Sequence, residues 1–522
     1  MHDATLTQQQ VFPLPRSDFL YDRLGPWPQP APDHPMAMAA EVLHPAPAEV
    51  RDWDFTAGWN YVRALITKFP LAVYNGLVHR QLDHLDDAQF VEIATTTTYS
   101  KYLRVITNDE LAASPFAGCL APFDPTHQFL TMDFTPMQDL SPFPGVYVAP
   151  TITLFERDHA KATCRARAIF IGHLTGDRWK HTVLTPEDVN AWTLARYFVL
   201  QGGAHMVVLS GHPATHFPYD TVNAVTQSAV PMRHTLFKLL KPHLRLQLAV
   251  DNAVLEGGNS VVSETRGTFY APFAGPSANI RQLVAAGYLG YPNVLSKFAP
   301  GDAPGLAYPR WAYPMAPKAI PSDFGRYLEA YFNTVKDYVR EVVAHIVENA
   351  DTRQGQEEIY YIRRWARYIA GWLPGFPDDA QILNPDENGD PLLVGVLTTF
   401  IWDVSIAHSL EHRSFGNLGP HRVPFRVRVP PPDSPDAPAY KRSEILDGWD
   451  IFRSTLGFEM FFKPHNIQLL KDIDYAFDSE TLRAAAQAFQ AALQATEARL
   501  IAEGVKVEHY APLAEIACSI QY

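Results

Sequence analysis

Two histidines near the end of an apolar stretch have the spacing of a metal-binding pair. His408 and His412 lie four residues apart in the segment FIWDVSIAHSLEHR. On an α-helix this spacing puts both imidazoles on one face, where they can bind one cation. Buried imidazole nitrogens need a partner, and a metal ion is one such partner. The alternative is a structural role at a helix C-terminus, because Gly416 follows closely.

A second group of histidines, His205, His212 and His216, lies in the segment WTLARYFVLQGGAHMVVLSGHPATHF. On a straight helix His205 and His212 share a face but lie about 10 Å apart along the axis, which is a long reach for two ligands of one metal. Glycines and Pro213 allow a distorted or bulged helix that brings these two imidazoles together. His212 and His216 are the competing pair, and spacing alone does not choose between them.

Helices are the elements that must position these histidines. Residues 53–73 form a plausible first helix, and apolar residues recur every three or four positions over residues 326–349. Ser479 is a residue type that begins helices, and a long helix is expected after it. Residues 149–171 alternate in polarity and predict a pair of strands with a turn near residues 157–160. The predicted fold class is therefore mainly α with a small β subregion.

Composition excludes several classes of protein. The 522 residues are 47% hydrophobic and 12% aromatic, which is enough for a large core and excludes a wholly disordered chain. The formal charge of -13 and the absence of a Lys/Arg-rich run argue against nucleic acid as the main partner. Only three cysteines are present, so a disulfide-dense scaffold is excluded.

The proline-rich and apolar segments indicate how the chain is organised. Residues 1–47 are rich in proline and predict an N-terminal arm without regular structure. The N-terminus lacks the pattern of a secretory signal. The apolar run Leu392–Trp402 is too short to span a bilayer. We therefore expect a cytoplasmic protein without a transmembrane segment.

Three separated motifs in this sequence resemble those of lipoxygenases, which are non-haem iron dioxygenases. The first is the segment from Trp192 through the three histidines, followed by HTLFKLLKPHLR, residues 234–245. The second is VLTTFIW, which leads to His408 and His412. The third is the final helix with the closing residues ACSIQY, since in this family the carboxylate of the last residue binds the iron. The similarity covers residues 185–522.

The resemblance implies a set of metal ligands. They are His205, His212, His408, His412 and the carboxylate of Tyr522. Counting from the downstream motif favours His205 with His212 over His212 with His216. Four imidazoles and one carboxylate suit six-coordinate iron or manganese and are too many for a tetrahedral zinc site. We therefore expect one iron per chain, with manganese as the alternative.

The resemblance also implies a fold and an activity. Residues 48–522 are expected to form a compact lipoxygenase-like catalytic domain with long central metal-binding helices, without the β-sandwich that usually precedes it. In this family a hydrogen atom is removed from the methylene between two double bonds, and dioxygen adds to the resulting radical. We therefore expect an oxidoreductase, a dioxygenase that inserts O2 into a polyunsaturated fatty acid or related lipid to give a hydroperoxide. Peripheral contact with a membrane is left open.

Two other functions have support in the sequence. Tyr522 and Val254 stand where the family usually has smaller residues, which favours an oxygenase or a hydroperoxide-converting enzyme acting on a different apolar metabolite. The wide spacing of His205 and His212 favours a catalytically silent binding homologue. Oxygen uptake, hydroperoxide consumption and metal content distinguish these functions.

Overall fold

The structure, a computed structural model, describes most of the chain. The described residues are 51–118, 127–158, 163–176, 178–212, 215–255, 271–276, 323–370, 376–463 and 467–522. They form a mainly helical body with one small sheet, as predicted. The predicted arm, residues 1–47, lies outside the described residues, so it stays a prediction.

The described residues form one antiparallel sheet of five strands. Neighbouring strands in the sheet are also consecutive along the chain. The strands are β1 Leu103–Ile106, β2 His127–Asp133, β3 Thr151–Asp158, β4 Thr163–Thr175 and β5 Arg178–Leu184. Strands β3 and β4 pair with Thr151 opposite Ile171. The strand pair predicted over residues 149–171 is therefore confirmed, while residues 159–162 of its turn lie outside the described residues.

Fourteen α-helices occur within the described ranges. Those before residue 260 are α1 Trp59–Leu77, α2 Asp87–Thr96, α3 Asn108–Ala112, α4 Val189–Met206, α5 Phe217–Ala229, α6 Thr235–Leu240 and α7 Gln247–Leu255. Those after it are α8 Asp323–Glu348, α9 Arg353–Ala370, α10 Leu392–Trp402, α11 His408–Leu418, α12 Arg442–Ile445, α13 Gly448–Phe461 and α14 Glu480–Ala502. Short 3-10 helices span Thr98–Tyr102, Thr135–Asp139, Lys241–Leu244, Leu470–Asp472, Val507–His509 and Leu513–Glu515.

The periodic segments fold as predicted because their apolar stripes are buried. The stripe of α8, which includes Tyr331, Val335 and Val342, belongs to the same hydrophobic core as residues of α10 and α14. The Ser479 hydroxyl accepts a hydrogen bond from the backbone N–H of Leu482 and so begins α14. The first predicted helix begins as a π-helical segment, residues 53–58, and continues as α1.

Two π-helical segments interrupt the helices that carry the histidines. Val207–Gly211 follows α4 and ends next to His212. Asp403–Ala407 connects α10 to α11 and ends next to His408. A π-helical turn contains one more residue than an α-helical turn, so it changes which way the following side chains face. Both segments therefore determine where the next histidine points.

The helix from Leu392 to Leu418 is the one helix in the described parts of the chain that is long and apolar enough to cross a membrane. The most apolar window of this helix is 89% buried inside the protein. A helix in a protein core meets the same length and hydropathy criteria, and such burial is typical of it. The helix continues beyond the apolar run Leu392–Trp402, because the π-helical segment connects α10 to α11 and gives 27 residues in total. The apolar sequence therefore reflects burial in the core.

Candidate metal centre

Four histidines from two regions of the chain converge in the interior. Their ligand nitrogens all lie within 4.8 Å of one another, and the residues are His212, His216, His408 and His412. His212 follows a π-helical segment and His216 is the N-terminal cap of α5. His408 is the first residue of α11, and His412 lies one turn later on the same face.

Hydrogen bonds fix the protonation of three of these rings. Each Nδ1 lies next to an oxygen: Glu411 at 3.0 Å from His212, Asp251 at 2.7 Å from His216, and the Phe461 carbonyl next to His412. A carbonyl or an ionised carboxylate can only accept, so each Nδ1 is the nitrogen that carries the proton. With the proton on Nδ1, the Nε2 atom of each ring is the one that can offer a lone pair to a bound cation.

The three Nε2 atoms point at one another. The Nε2 of His212 lies 2.8 Å from that of His216 and 2.9 Å from that of His412. Three lone pairs at this separation repel unless a cation lies between them. Nitrogens in adjacent positions around an octahedral ion are about 3 Å apart when each metal–nitrogen distance is about 2.1 Å. The spacing therefore fits a shared metal ion.

His408 is the fourth member and is fully buried, with 0% of its surface exposed. Among the described residues, neither of its ring nitrogens has a hydrogen-bond partner. Its ring lies 5.1 Å from that of His212 and 4.7 Å from that of His216, measured between centroids. Buried polar atoms are nearly always satisfied, so this ring needs a ligand that is neither backbone nor side chain.

The electrostatics of the cluster keep the imidazoles of His212, His408 and His412 neutral. Burial, together with the neighbouring imidazoles, lowers the pKa of His212 and His408 well below the usual value of 6.5. The same two causes lower the pKa of His412 to about 3. Burial disfavours the charged imidazolium. Near neutral pH these rings are therefore in the form that binds metal ions.

An ion pair between the buried Glu411 and the half-buried Lys101 supports the cluster from outside. Glu411 accepts from His212 and also pairs with Lys101. Burial lowers the pKa of Lys101 to about 8, although the Asp403 carboxylate opposes that effect. Burial raises the pKa of Asp403 itself to about 6, and the Tyr219 hydroxyl donates to it at 2.6 Å. Carboxylates behind metal-binding histidines fix the ring orientation and increase ligand basicity.

The structure places His205 away from the other four histidines. Its Nδ1 donates to the Gln201 carbonyl at 2.9 Å, and its Nε2 accepts from the Ala274 N–H at 3.1 Å. Its ring contacts Phe273 and Phe425. Both nitrogens of this neutral ring are thus engaged with backbone. The structure therefore brings His216 and not His205 next to His212, which is the arrangement of the alternative pair that spacing had left open.

The Tyr522 ring lies next to the histidine cluster. Its ring centroid is 5.1 Å from that of His408 and 4.6 Å from that of His412. The segment leading to it is held by the backbone N–H of Ala517, which donates to the Ser409 hydroxyl at 3.0 Å. The last residue is therefore held next to the histidine cluster.

His243 secures the same closing segment. Its Nδ1 donates to the Cys518 carbonyl at 2.7 Å, and its Nε2 accepts from the Tyr475 hydroxyl at 2.8 Å. The Cys518 N–H donates in turn to the Gln468 carbonyl at 2.8 Å. These contacts hold the closing segment in place and involve none of the four clustered histidines.

Sequence reasoning missed the partners behind the ligands. Glu411 had a usable signal, since a carboxylate between two histidines on a buried helix needs a partner. Asp251 and Lys101 had no such signal, because they come from distant parts of the chain. The side chain of Val254, which motivated an alternative substrate, lies outside the described residues.

Solved structures share this architecture. Coral 8R-lipoxygenase superposes on 100% of this chain and 81% of its own with a TM-score of 0.63 and 16% identity. The chain has the lipoxygenase fold. Manganese lipoxygenase of Gaeumannomyces graminis matches over 91% of each chain with a TM-score of 0.63 and 15% identity. A lipoxygenase of Fusarium graminearum matches over 84% of this chain and 80% of its own, with a TM-score of 0.58 and 15% identity.

These likenesses confirm the predicted fold class, a mainly α lipoxygenase-like domain. No protein-family model matches the chain, and no curated protein matches it in sequence. One neighbour is described as a manganese enzyme, and another lipoxygenase was solved in complex with arachidonate.

Substitution of Glu411 tests the layer behind the ligands. We expect Glu411→Gln to weaken metal binding by about tenfold or more, because the carboxylate no longer increases the basicity of His212. The matched control is Glu411→Gln combined with Lys101→Met, which removes the cation left without its partner. This double variant is expected to recover thermal stability but not metal affinity, measured by competition with a chelator. Equal metal affinity in all three proteins would contradict the role of Glu411.

Two buried histidines outside the cluster predict how stability depends on pH. Burial lowers the pKa of His205 and His243 to about 4. The unfolded chain takes up these protons near pH 6.5 and the folded chain does not, so stability falls as the pH falls from about 6.5 towards 4. Each histidine contributes up to about 1.4 kcal/mol per pH unit.

Guanidinium unfolding of the metal-free protein at several pH values between 7.5 and 5 measures the slope summed over these two and the cluster histidines with lowered pKa values, and a variant gives the share of one histidine. The variant His205→Gln is expected to reduce it by about one proton. A free energy of unfolding that does not change over this range would contradict the neutral, buried state of the two rings.

Proposed function

We propose that this protein binds one redox-active metal ion and acts as a lipoxygenase-type dioxygenase. The observation that carries the proposal is the convergence of the three Nε2 atoms, at 2.8 and 2.9 Å, with Nδ1 of each ring engaged elsewhere. The proposed ligands are the four clustered histidines and the carboxylate of Tyr522. This set replaces His205 with His216 and keeps the other predicted ligands.

The donor set indicates which metal the site would hold. Imidazole and carboxylate suit iron and manganese, and five protein ligands leave one position of an octahedral ion open. Iron is the first candidate, with manganese as the alternative that one neighbour of this fold supports by name. When bound, such an ion supplies the one-electron oxidation that removes a hydrogen atom from an activated methylene.

The side chains around the site hold and shield the ligands. Glu411 and Asp251 orient their imidazoles through the Nδ1 protons. Phe462 and the Tyr522 ring pack against His412, with centroid distances of 5.7 and 4.6 Å. These apolar contacts exclude water from one side of the histidines. The overall reaction RH + O2 → ROOH is balanced without a net exchange of protons with solvent.

The proposed substrate is a polyunsaturated fatty acid or a related lipid, and O2 is the second substrate. A lipoxygenase of the same fold was solved with arachidonate, which supports a lipid of this class. The second candidate function is conversion of a lipid hydroperoxide or oxygenation of another apolar metabolite. It is favoured by the bulky Tyr522 ring next to the histidines, which takes space at the site. The cytoplasmic location and the boundary at residue 48 stay proposals.

Oxygen consumption tests the proposed activity. The protein is loaded with Fe(II) or Mn(II) and mixed with linoleate or arachidonate, while stearate, which has no double bonds, serves as the control. We expect O2 uptake together with conjugated-diene absorbance, and neither in His408→Ala. Consumption of a lipid hydroperoxide without O2 uptake would favour the second candidate. A metal-loaded protein with neither activity would contradict both and favour a binding role.

A further inference from the structure

A short 3-10 helix, Thr98–Tyr102, contacts both helical regions that position the clustered histidines. We call this helix the clamp. Three of its residues, Tyr99, Lys101 and Tyr102, make polar contacts with those regions. None of the three belongs to the proposed ligand set. The clamp therefore reaches the histidine cluster through the residues next to it.

Tyr102 binds the backbone at the point where α4 becomes π-helical. Its hydroxyl donates to the Met206 carbonyl at 2.7 Å, and Met206 is the last residue of α4. The π-helical segment Val207–Gly211 begins at the next residue. π-Helical turns are rare and occur mostly as single-turn bulges inside α-helices. A side-chain hydrogen bond at this junction therefore fixes the place where the bulge begins.

The conformation of the π-helical segment determines the direction of His212. The His212 N–H donates to the Val207 carbonyl at 2.7 Å, which is a bond with the i to i+5 spacing of a π-helix. A shift of the helix by one residue would turn the following side chain by about 100° around the axis. The start of the segment therefore determines whether the His212 ring faces the other histidines.

Lys101 acts on the same histidine from its ring side. Its ammonium group pairs with Glu411 of α11, and Glu411 accepts from the Nδ1 of His212 at 3.0 Å. The Glu411 side chain is buried, and a buried carboxylate needs partners of this kind. The clamp thus acts on the backbone before His212 through Tyr102 and on the His212 ring through Lys101.

Two glycines make room for the tyrosines of the clamp. A Cβ atom at Gly203 would overlap the Tyr99 ring, and one at Gly211 would lie 2.7 Å from the Tyr102 hydroxyl. Cβ contacts under 3.0 Å essentially do not occur in proteins, so a larger residue at either position would displace a tyrosine. The absence of a side chain at these two positions therefore allows the clamp to reach the helix backbone.

Tyr99 makes an equivalent bond where the helix is regular. Its hydroxyl donates to the Leu200 carbonyl at 2.7 Å, within α4. Its ring makes an edge contact with Phe134, and so does the ring of Tyr102. The two tyrosines therefore have the same bond length and share an aromatic neighbour. They differ in the position of the acceptor, which is regular helix for Tyr99 and the α-to-π junction for Tyr102.

From these contacts we infer that Tyr102 is a positioning residue for the His212 side chain, and that Gly211 gives its hydroxyl access to the Met206 carbonyl. The inference deepens the proposed function, on which it rests, because it adds a residue that controls the geometry of the metal site. Partners behind metal ligands affect metal affinity because they fix the orientation of the ligand. Tyr102 has this effect through the backbone.

Two matched variants test the inference with Mn(II) as the probe. Tyr102→Phe and Tyr99→Phe each remove one hydroxyl and keep the ring. We expect Tyr102→Phe to raise the dissociation constant for Mn(II) by about tenfold, whereas Tyr99→Phe should change it by less than about twofold. The EPR spectrum of the bound Mn(II), which reports the arrangement of its ligands, should change only in Tyr102→Phe. The thermal midpoints of the two metal-free variants should fall by similar amounts, since each loses one hydrogen bond.

Substitution of Gly211 provides an independent check. Gly211→Ala is expected to weaken Mn(II) binding, because the new methyl group displaces the Tyr102 hydroxyl. In Tyr102→Phe this hydroxyl is already absent, so adding Gly211→Ala should weaken binding by less than about twofold further. Fully additive losses in the double variant would contradict the role of Gly211.

Amide hydrogen exchange in the metal-free protein separates this inference from the proposed function. We expect the His212 N–H, which ends the π-helical segment, to exchange about fivefold faster in Tyr102→Phe and at an unchanged rate in Tyr99→Phe. A wild type that binds no metal but shows this difference would contradict the proposed metal site and support the positioning of His212. Equal exchange in the wild type and Tyr102→Phe, or equal Mn(II) affinity, would overturn the inference.

Discussion

Replacement of His216 with alanine is expected to release the metal, whereas replacement of His205 with asparagine is expected to leave about one metal ion per chain. His216 presents its Nε2 to the cluster, 2.8 Å from that of His212. His205 instead uses both ring nitrogens on backbone groups. Because even the loss of an outer hydrogen-bond partner weakens metal binding by about 10- to 100-fold, loss of a direct ligand should exceed about 100-fold.

Elemental analysis after gel filtration in the presence of a weak chelator measures this difference. The circular dichroism spectrum and the thermal midpoint of the metal-free proteins serve as controls for folding. The His205→Asn variant is a demanding control, since it also changes a buried histidine. Loss of metal from His205→Asn with retention in His216→Ala would restore the ligand pair that the family resemblance favours.

Deletion of Tyr522 is expected to lower the metal content as strongly as loss of a histidine. The backbone of this residue carries the proposed fifth ligand, and its ring already lies against His408 and His412. Without it, the next carboxylate would be that of Gln521, whose side chain is bound to the backbone of Gln468. The new carboxylate would therefore lie one residue short of the site.

Tyr522→Phe is the matched variant, because it removes the hydroxyl and keeps the carboxylate and ring. We expect it to bind metal like the wild type and to lose little activity. Metal content and O2 uptake of the two variants measure the effect. Full metal content in the deletion variant would show that the carboxylate is not a ligand. Loss of metal in Tyr522→Phe would instead assign a role to the hydroxyl.

The elements that depend on local patterning could be predicted from the sequence. Residues 326–349 carry an apolar stripe that only a helix can bury on one side, and α8 is that helix. Ser479 begins α14 as its residue type predicts. His408 and His412 converge because both lie on one face of a regular helix, α11. In each case the information lies within one turn or one face.

The choice between His205 and His216 could not be predicted, since it depends on contacts distant in sequence. The backbone N–H of Ala274 donates to the Nε2 of His205, and the Asp251 carboxylate accepts from the Nδ1 of His216. Between these histidines, the π-helical segment Val207–Gly211 changes the direction in which the following side chains face. Spacing on an ideal helix does not include this change. The location of Lys101 behind Glu411 is likewise a consequence of tertiary packing.

Anomalous diffraction from crystals of the metal-loaded protein, recorded on both sides of the iron or manganese absorption edge, tests the central claim most directly. We predict one anomalous peak per chain, about 2.1 Å from a ring nitrogen of each of His212, His216, His408 and His412. The same map should show the carboxylate of Tyr522 at a similar distance. A peak next to His205, or a loaded crystal without a peak among the four histidines, would contradict the account.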